Sequence, residues 1–244
     1  MKGRRRRKSP AARVKPFWMP ILLCGVVAFG ALVALATWPG FNPRHVSVSG
    51  NHRIAGREIL ARAAIAPHES IWLQNTHAMA ARIDAIPFIA TASVARRPPA
   101  TVSIVVTERV PFALLRSGDA AGVVDSALRV VAPPDFDDDL AVLTIGPGAN
   151  LTPGAFVVRH DATELRAAYE AMTARGVVPA QLGFDRFGGM VATLHGGLRL
   201  LLGSQNDLDQ KLTLAKAILS QVIGRQRRVA AIDIRAPGTP VVVY

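Results

Sequence analysis

Residues 88–110, FIATASVARRPPATVSIVVTERV, decide how the region after the N-terminal apolar segment folds. β-Branched residues are common in this stretch, and the Pro-Pro pair at 98–99 is a strong turn signal. Beyond the turn, Val102, Ile104 and Val106 stand at every second position, so they share one face of an extended chain. The stretch therefore predicts a β-hairpin whose second strand directs these three side chains into a core.

Three further elements precede the hairpin. Residues 45–51, HVSVSGN, alternate valine with serine and reach a Gly-Asn turn, which predicts a strand. Residues 55–65 predict a helix with Ile59, Ala63 and Ala64 on one face and Leu60 beside them, and residues 75–86 predict a second helix with a stripe of Met79, Ile83 and Ile86, capped by Asn75 or Thr76. Residues 42–108 are thus expected to form a β-α-α-β-β unit with Val48, Ile59, Ile83, Val102, Ile104 and Val106 in its core and Ser103 on the opposite face.

The second half predicts a mostly antiparallel sheet with two helices on one face. Residues 112–145 contain three β-like runs, and residues 190–203 predict a hairpin that turns at His195-Gly196-Gly197. One helix is expected from about Ala162 to Gly176 and another over 206–223, followed by strands at about 229–235 and 240–244. The first helix has a stripe of Leu165, Ala168 and Met172 and a capping-box spacing at Asp161 and Glu164, and the second has a stripe of Leu208, Leu212, Ala215, Leu219 and Val222 with Asp207 and Asp209 near its N-terminus.

The N-terminus combines a basic tail with an apolar segment. The net charge of the chain is +12. Eight lysine and arginine residues precede residue 16, where no acid occurs, so the rest of the chain carries a net charge of only +4. Residues 17–38 contain no charged residue and are long enough to cross a hydrocarbon core of roughly 30 Å. Trp18 and Trp38 stand near its ends, as interfacial aromatics do. The pattern predicts a transmembrane helix with residues 1–16 in the cytoplasm and the remainder outside it, in contact with the lipid bilayer.

Two alternatives stay open for this terminus. A cleaved signal peptide also has a basic start and an apolar run, and Ala34-Leu35-Ala36 resembles its small-x-small site. The apolar run exceeds the roughly 7–15 residues of a signal peptide, however, and continues past that site. A basic arm for nucleic acid is the other alternative, but next to a membrane helix it would meet anionic lipids first. We therefore expect no nucleic-acid partner.

The sequence lacks the motifs of several enzyme classes. Cys24 is the single cysteine and lies in the apolar segment, so no disulfide, thiol nucleophile or cysteine-based metal site is expected outside it. Asp135, Asp137 and Asp139 resemble the start of a calcium loop, but its required glycine and bidentate glutamate are replaced by Leu140 and Gly146. No nucleophile elbow, dinucleotide loop or phosphate loop occurs, and the histidines have no metal-ligand spacing. No cofactor is expected, and an envelope hydrolase with an unrecognised site remains the alternative to a binding protein.

Four segments of the chain carry a resemblance to a known family. They are residues 46–54, 86–113, 202–212 and 230–235, and the most specific motifs are Gly50-Asn51, Arg97-x-Pro99, Glu108-Arg109-x-Pro111 with Ala113, and Ile232-Asp233-x-Arg235. Together with the basic tail and single anchor, these residues resemble the FtsQ/DivIB family of cell-division proteins over nearly the whole chain. One departure is Leu128, which stands where the family has a turn glycine after Asp125, so a longer or differently turned hairpin is expected there.

The resemblance implies an α+β protein with a single transmembrane helix at 17–38, a POTRA domain at 42–108 and an FtsQ-type β domain at 109–244. It implies a non-enzymatic scaffold of the divisome, in the inner membrane at the division septum, that regulates septal peptidoglycan synthesis. Its implied partners are FtsB- and FtsL-like proteins, with FtsK, FtsW and the septal penicillin-binding protein as direct or indirect partners. An outer-membrane transporter with a POTRA repeat is excluded, because about 135 residues supply too few strands for its barrel.

The last predicted strand is an apolar edge, and such edges are usually blunted. Pro240 blunts only its start, so either the strand lies inside the domain's own sheet or a partner strand pairs with it. Under the second hypothesis Tyr244 is the expected hot spot, since it offers a large ring and a hydroxyl. The resemblance places the FtsB contact on this strand and on Arg235, which would pair with an acidic group. The predicted partner-binding residues are Arg235, Thr239, Pro240, Val241, Val242, Val243 and Tyr244.

Overall fold

A computed structural model describes residues 18–136, 139–222 and 229–244 as an α+β protein. The predicted basic tail lies outside the described residues. The helices are α1 (Trp18–Ala36), α2 (Gly56–Ala63), α3 (Thr76–Asp84), α4 (His160–Ala174) and α5 (Leu208–Val222), with a short 3-10 helix at Pro39–Phe41. The strands are β1 (His45–Ser49), β2 (Ile89–Arg97), β3 (Thr101–Glu108), β4 (Ala113–Ser117), β5 (Ala120–Val124), β6 (Val130–Ala132), β7 (Val142–Ile145), β8 (Pro179–Phe184), β9 (Met190–Leu194), β10 (Arg199–Gly203), β11 (Ala231–Asp233) and β12 (Val241–Val243).

Helix α1 has the length and composition of a membrane span. An 18-residue window within its 19 residues has a mean hydropathy of 2.5, and none of its side chains is buried against the rest of the protein. The Thr37 hydroxyl donates to the Val33 carbonyl at 2.8 Å, and Pro39 then begins the 3-10 turn. The helix thus ends at Ala36, within the residue range predicted from the sequence.

The first unit contains a three-stranded sheet in the order β1-β3-β2, with α2 and α3 packed on it. β2 and β3 form the predicted hairpin, and β1 pairs with β3 in parallel. Val102, Ile104 and Val106 are buried together with Ile59 and Ile83, while Val48 is half-buried against the same cluster. The predicted β-α-α-β-β order and this core are confirmed. Asn75 is the N-cap of α3, since its side chain accepts from the Ala78 N–H at 3.0 Å.

One detail of the predicted unit is wrong. Ala64 does not continue the apolar face of α2, because it is the C-cap, has a left-handed conformation (φ 49°) and is exposed. Ser103 lies on the face of β3 opposite Ile104, as predicted, but it is also buried, since only 7% of it is exposed. β3 is the central strand, so Ser103 lies between Ser47 of β1 and Ala95 of β2.

The second unit is a nine-stranded sheet in the order β12-β11-β10-β9-β8-β7-β4-β5-β6. Five of its neighbouring pairs are antiparallel and three are parallel, which confirms the mostly antiparallel prediction. Helix α4 packs on β7 and β8, and α5 packs on α4 and β10. The predicted stripes supply one shared core, in which Leu165, Ala168 and Met172 of α4 meet Leu212 and Ala215 of α5. The side chain of Val222 lies outside the described residues.

The sequence interpretation missed one strand and misplaced one cap. β8 was not predicted, although it joins β7 to β9 in the middle of the sheet. The capping box at Asp161 and Glu164 does not form, because α4 begins one residue before Asp161 and its N-cap is Arg159. The Asp161 carboxylate instead accepts from the Arg159 guanidinium at 2.8 Å and from the Gly146 N–H at 3.1 Å.

Glu108 and Arg109, at the end of β3, make polar contacts with residues that are distant in the chain. The Glu108 carboxylate accepts from the backbone N–H groups of His52, Arg53 and Ile54, each at 2.9 Å. Arg109 pairs with Asp125 of the second unit at 2.7 Å, and both side chains are largely buried. Phe88 of the first unit also packs with Val123 and Val131 of the second unit. The units therefore share polar and apolar contacts.

The departure at Leu128 is accommodated by an unusual backbone conformation. Leu128 has φ 58°, in the left-handed region that a turn glycine adopts without cost. Its N–H donates to the Asp125 carbonyl at 2.9 Å, and its side chain is 5% exposed within the main core. The turn is thus the one that a glycine would form, and the buried leucine side chain compensates for the strained conformation.

We expect Ile104→Ala to lower the free energy of unfolding by about 2–5 kcal/mol, since the substitution leaves a cavity around a fully buried side chain. Urea unfolding of the full chain in detergent measures this loss. Val105→Ala is the matched control in the same strand, because Val105 is 47% exposed. Equal losses for the two variants would show that the faces of β3 are assigned wrongly.

We expect the stabilisation by Glu108 to depend on pH. Burial raises the pKa of Glu108, but the three backbone N–H donors outweigh this effect and hold the pKa below its usual value. Its contribution is therefore complete above the unfolded-state pKa of about 4.3 and is lost as the pH falls through the lower folded-state pKa. Urea unfolding should show that Glu108→Gln costs about 1–3 kcal/mol at neutral pH and progressively less in acid.

Glu170→Gln provides the control for this pH series, because Glu170 forms an exposed i,i+4 pair with Arg166. Such pairs contribute about 0.3–0.5 kcal/mol, so this substitution should change stability little at any pH. A cost of Glu108→Gln that stays constant from neutral to acidic pH would contradict the assigned role of the carboxylate.

Candidate functional site: an open sheet edge

The two edges of the nine-stranded sheet differ in whether another segment of the chain pairs with them. At β6, the Val130 N–H donates to the Ala155 carbonyl at 2.8 Å and the Gly154 N–H donates to the Val130 carbonyl at 2.7 Å. Arg129 also forms a bridge with Phe156, so a returning segment covers this edge. At the opposite edge, β12 pairs only with β11 among the described residues. The sheet therefore has one covered edge and one open edge.

Strand β12 presents one side chain to the core and the others to solvent. Val242 lies opposite the fully buried Ile232 and is half-buried. Val241 and Val243 lie on the other face and are 54% and 47% exposed, and Tyr244 is 60% exposed. The open backbone edge is thus accompanied by exposed apolar side chains, a combination that favours strand addition.

Arg235 is held beside this strand by Asp233. Its Nη2 donates to Asp233 Oδ2 at 2.6 Å and its Nε donates to Asp233 Oδ1 at 3.0 Å. This hydrogen bonding lowers the pKa of Asp233, against the opposing effect of burial, and raises the pKa of Arg235. The Arg235 side chain nevertheless remains 56% exposed. It is a fixed cation that a second acidic group can still reach.

A glycine shapes the position of Arg235. Gly203, at the end of β10, has φ 69°, and a Cβ atom built there would lie 3.0 Å from Arg235 Cγ. The aliphatic part of the Arg235 side chain thus passes next to Gly203 in the space that a larger side chain there would occupy. Asp185, in the turn between β8 and β9, adds a negative charge close enough for Arg235 to lower its pKa, although the N–H groups of Gly189 and Phe187 lower it more.

The structure brings most of the predicted partner-binding residues to one edge. Val241, Val242, Val243 and Tyr244 form or follow β12, and Arg235 stands at the start of the loop that leads to it. Thr239 and Pro240 complete this loop, in which the Thr239 N–H donates to the Ala236 carbonyl at 3.1 Å. Sequence reasoning missed Asp233 as the partner of Arg235, although the i,i+2 spacing within Ile232-Asp233-x-Arg235 could have suggested it. It also missed Gly203, for which no sequence signal exists.

The other features considered for chemistry are structural. His195-Gly196-Gly197 forms the turn between β9 and β10, and both glycines have positive φ. The described ranges contain no group of three or more histidine, cysteine or acidic residues that could hold a metal ion. Asp137 of the acidic run lies outside those ranges. The open edge is therefore the strongest candidate site in the part of the chain that the structure describes.

The amino-acid sequence of the chain is similar to one protein-family model and to several known proteins. The model of the FtsQ-type POTRA domain family matches residues 41–109. The chain is 29% identical over 210 residues to the cell division protein FtsQ of Mycolicibacterium smegmatis, covering 84% of this chain and 59% of the relative. It is 24% identical over 238 residues to FtsQ of Chloroflexus aurantiacus, covering 88% and 85%, and 27% identical over 252 residues to FtsQ of Anaeromyxobacter sp., covering 95% and 81%. The chain thus spans about three fifths of the mycobacterial relative and over four fifths of the other two.

We expect Gly203→Ala to disturb Arg235 as well as the backbone. Alanine in the left-handed region costs roughly 1–2 kcal/mol, and the new Cβ must also displace the arginine stem. Gly196→Ala is the control, since Gly196 also has positive φ but no atom lies within 4 Å of the added Cβ. Thermal or urea unfolding should show the larger loss for Gly203→Ala.

The same comparison in an Arg235→Ala background isolates the contact. Alanine at position 235 lacks Cγ and Cδ but keeps Cβ, which would lie 3.3 Å from the added Cβ, so we expect the difference between Gly203→Ala and Gly196→Ala to become smaller. An unchanged difference between the two glycine variants in that background would mean that Gly203 is required for another reason.

Proposed function

We propose that this chain belongs to the FtsQ family of cell division proteins and acts in cell division as a membrane-anchored scaffold without catalytic activity. The observation that carries the proposal is the open edge at β12, which offers backbone and apolar groups for a partner strand. Strand addition of this kind obtains affinity from main-chain hydrogen bonds and specificity from alternate side chains. The function of the second unit is then to bind other division proteins.

The proposed partners are FtsB- and FtsL-like proteins of the same membrane. One of them would extend the nine-stranded sheet by pairing with β12 and so cover its exposed edge. Tyr244 would provide the main anchor, because aromatic side chains with a polar group are frequent hot spots. Arg235 would contact an acidic partner residue while keeping its bonds to Asp233.

The proposed arrangement is a single-pass protein of the inner membrane. Helix α1 would be the anchor, residues 1–16 would lie in the cytoplasm, and both sheet-containing units would lie outside it at the division septum. The tail's excess of positive residues supports this orientation, because Lys and Arg near a span favour the cytoplasmic side. The fixed contacts of Arg109 with Asp125 would relate the position of β12 to that of the anchor.

The two units would have separate tasks. We assign residues 42–108 as a POTRA domain that helps localise the protein at the septum, and residues 109–244 as the domain that captures FtsB- and FtsL-like partners. Through these partners the chain would regulate septal peptidoglycan synthesis by FtsW and the septal penicillin-binding protein. FtsK would be a further direct or indirect partner.

A proline scan of β12 tests the docking edge. Successive N–H groups of a strand point to opposite sides, so among Val241→Pro, Val242→Pro and Val243→Pro some remove a bond to β11 and others remove an outward donor. We expect the outward class to keep the melting temperature of the parent chain but lose co-purification with the FtsB-like protein of the same organism. The inward class should lose stability as well.

Tyr244→Ala and Val158→Pro complete the scan. Tyr244→Ala should weaken partner capture without changing the melting temperature, because Tyr244 is exposed. Val158→Pro is the proline control on a surface away from β12, since Val158 is 91% exposed and lies outside the strands. If all three proline variants of β12 capture the partner as well as the parent chain does, the docking-edge proposal is wrong.

A further inference from the structure

The connection between α1 and the first unit contains a line of aromatic contacts. Trp38, two residues beyond the end of α1, meets Phe41 edge to face with ring centroids 5.8 Å apart. Phe41 in turn meets Trp72 at 6.2 Å. The aromatic line thus runs from the end of the apolar helix to the loop between α2 and α3.

This loop presents two large apolar side chains to solvent. Trp72 is 48% exposed and its neighbour Leu73 is 52% exposed. The surrounding residues 70–74, SIWLQ, carry no charged side chain. Adjacent exposed apolar residues of this size are a frequent sign of contact with another molecule or with a membrane.

The loop is held in place on three sides. The Ile71 N–H donates to the Phe41 carbonyl at 2.9 Å, and the Ile71 side chain is fully buried. Arg96 of β2 donates to the Ile71 carbonyl at 2.7 Å and to the Gln74 carbonyl at 2.6 Å. Gln74 is 4% exposed and donates to the Ala66 and Glu69 carbonyls, each at 2.8 Å. These hydrogen bonds hold the backbone of the loop in a position in which the side chains of Trp72 and Leu73 are exposed.

We propose that Trp72 and Leu73 insert into the outer-leaflet interface of the bilayer that α1 crosses. This inference rests on the proposed anchoring of α1. The interfacial layer on each side of the hydrocarbon core is roughly 5–8 Å deep, and indole rings favour it. Trp38 stands where α1 leaves the core, and ring contacts of 5.8 and 6.2 Å connect it through Phe41 to Trp72. In the proposed arrangement this aromatic line runs along the membrane surface, so that Trp72 lies in the same layer as Trp38.

The occupant of the patch is lipid because of its continuity with the span. Trp38 is 59% exposed and shares its aromatic surface with Phe41 and Trp72. Insertion of Trp72 and Leu73 would give the first unit a second membrane contact besides α1. Two contacts fix the tilt of a domain, whereas one connection leaves it free to swing. The proposed role of the patch is therefore to orient the first unit on the membrane.

Fluorescence quenching by lipid-attached spin labels tests this proposal. The chain contains three tryptophans, so Trp18→Phe with Trp38→Phe leaves Trp72 as the single emitter. The full chain is reconstituted into phosphatidylcholine and phosphatidylglycerol vesicles that carry a nitroxide at a shallow or a deep acyl carbon. We expect the shallow label to quench Trp72 more than the deep label, and aqueous iodide to quench it weakly.

Three further variants provide two controls and a second test position. A tryptophan-free chain with Phe187→Trp places the emitter on the turn between β8 and β9, where Phe187 is 79% exposed, and we expect iodide but not lipid labels to quench it. A chain that retains only Trp38 reports on the anchor itself. Leu73→Trp in the tryptophan-free chain repeats the test at the neighbouring position and should give the same shallow quenching.

The outcomes separate the proposal from the proposed function. Quenching of Trp38 by lipid labels without quenching at positions 72 and 73 overturns the interfacial patch and leaves the anchor intact. Absence of lipid quenching at Trp38 overturns the anchor and the patch together. If the emitters at 72 and 73 lose iodide access only when division proteins are added, the patch is a protein-docking surface and the proposal is wrong.

Discussion

The need to satisfy backbone hydrogen bonds at the edges of a large open sheet governs this molecule. A nine-stranded sheet has two rows of N–H and C=O groups without a neighbouring strand, and each row invites pairing with another chain. The segment at 154–157 occupies one row by bonding to Val130. The other row consists of the backbone groups at the free edge of β12, which also carries the exposed side chains of two valines and is followed by an exposed tyrosine. Among the described residues, this asymmetry leaves β12 as the sheet edge that is open to strand addition.

The position of that side relative to the rest of the chain depends on the end of β3. Glu108 fixes the segment after β1 through three backbone N–H groups, while the next residue, Arg109, pairs with Asp125 in the second unit. Breaking a buried pair costs more than breaking an exposed pair, because the remaining charge loses its partner in a poorly solvated place. Glu108 therefore fixes the end of β3 within the first unit. Arg109 connects the two units, because its guanidinium donates to the Ile89 carbonyl at 3.2 Å and also pairs with Asp125.

Local patterns predicted most of the fold, and long-range contacts account for the errors. The period-two alternation at Val102, Ile104 and Val106 reported the buried face of β3 correctly, because sheet burial imposes that period. β8 escaped prediction because it begins with Pro179 and contains Gly183, which lies close to the backbone of β7. At the candidate site, the strand and Arg235 were predictable from local sequence and resemblance. The approach of Arg235 to Gly203 was not, since Gly203 ends β10 and Arg235 lies in the loop after β11, more than thirty residues further along the chain.

The strand order adds a consequence for the timing of assembly. From β8 to β12, each new strand in the sheet is also the next one in the chain, so this half of the sheet grows outward in the order of synthesis. β12 is connected to the sheet only through β11, which in turn pairs with β10. Synthesis runs from the N-terminus, so the strand that carries the open edge is made after every other strand of the sheet. Until β12 has been made, the edge that the finished protein presents does not exist.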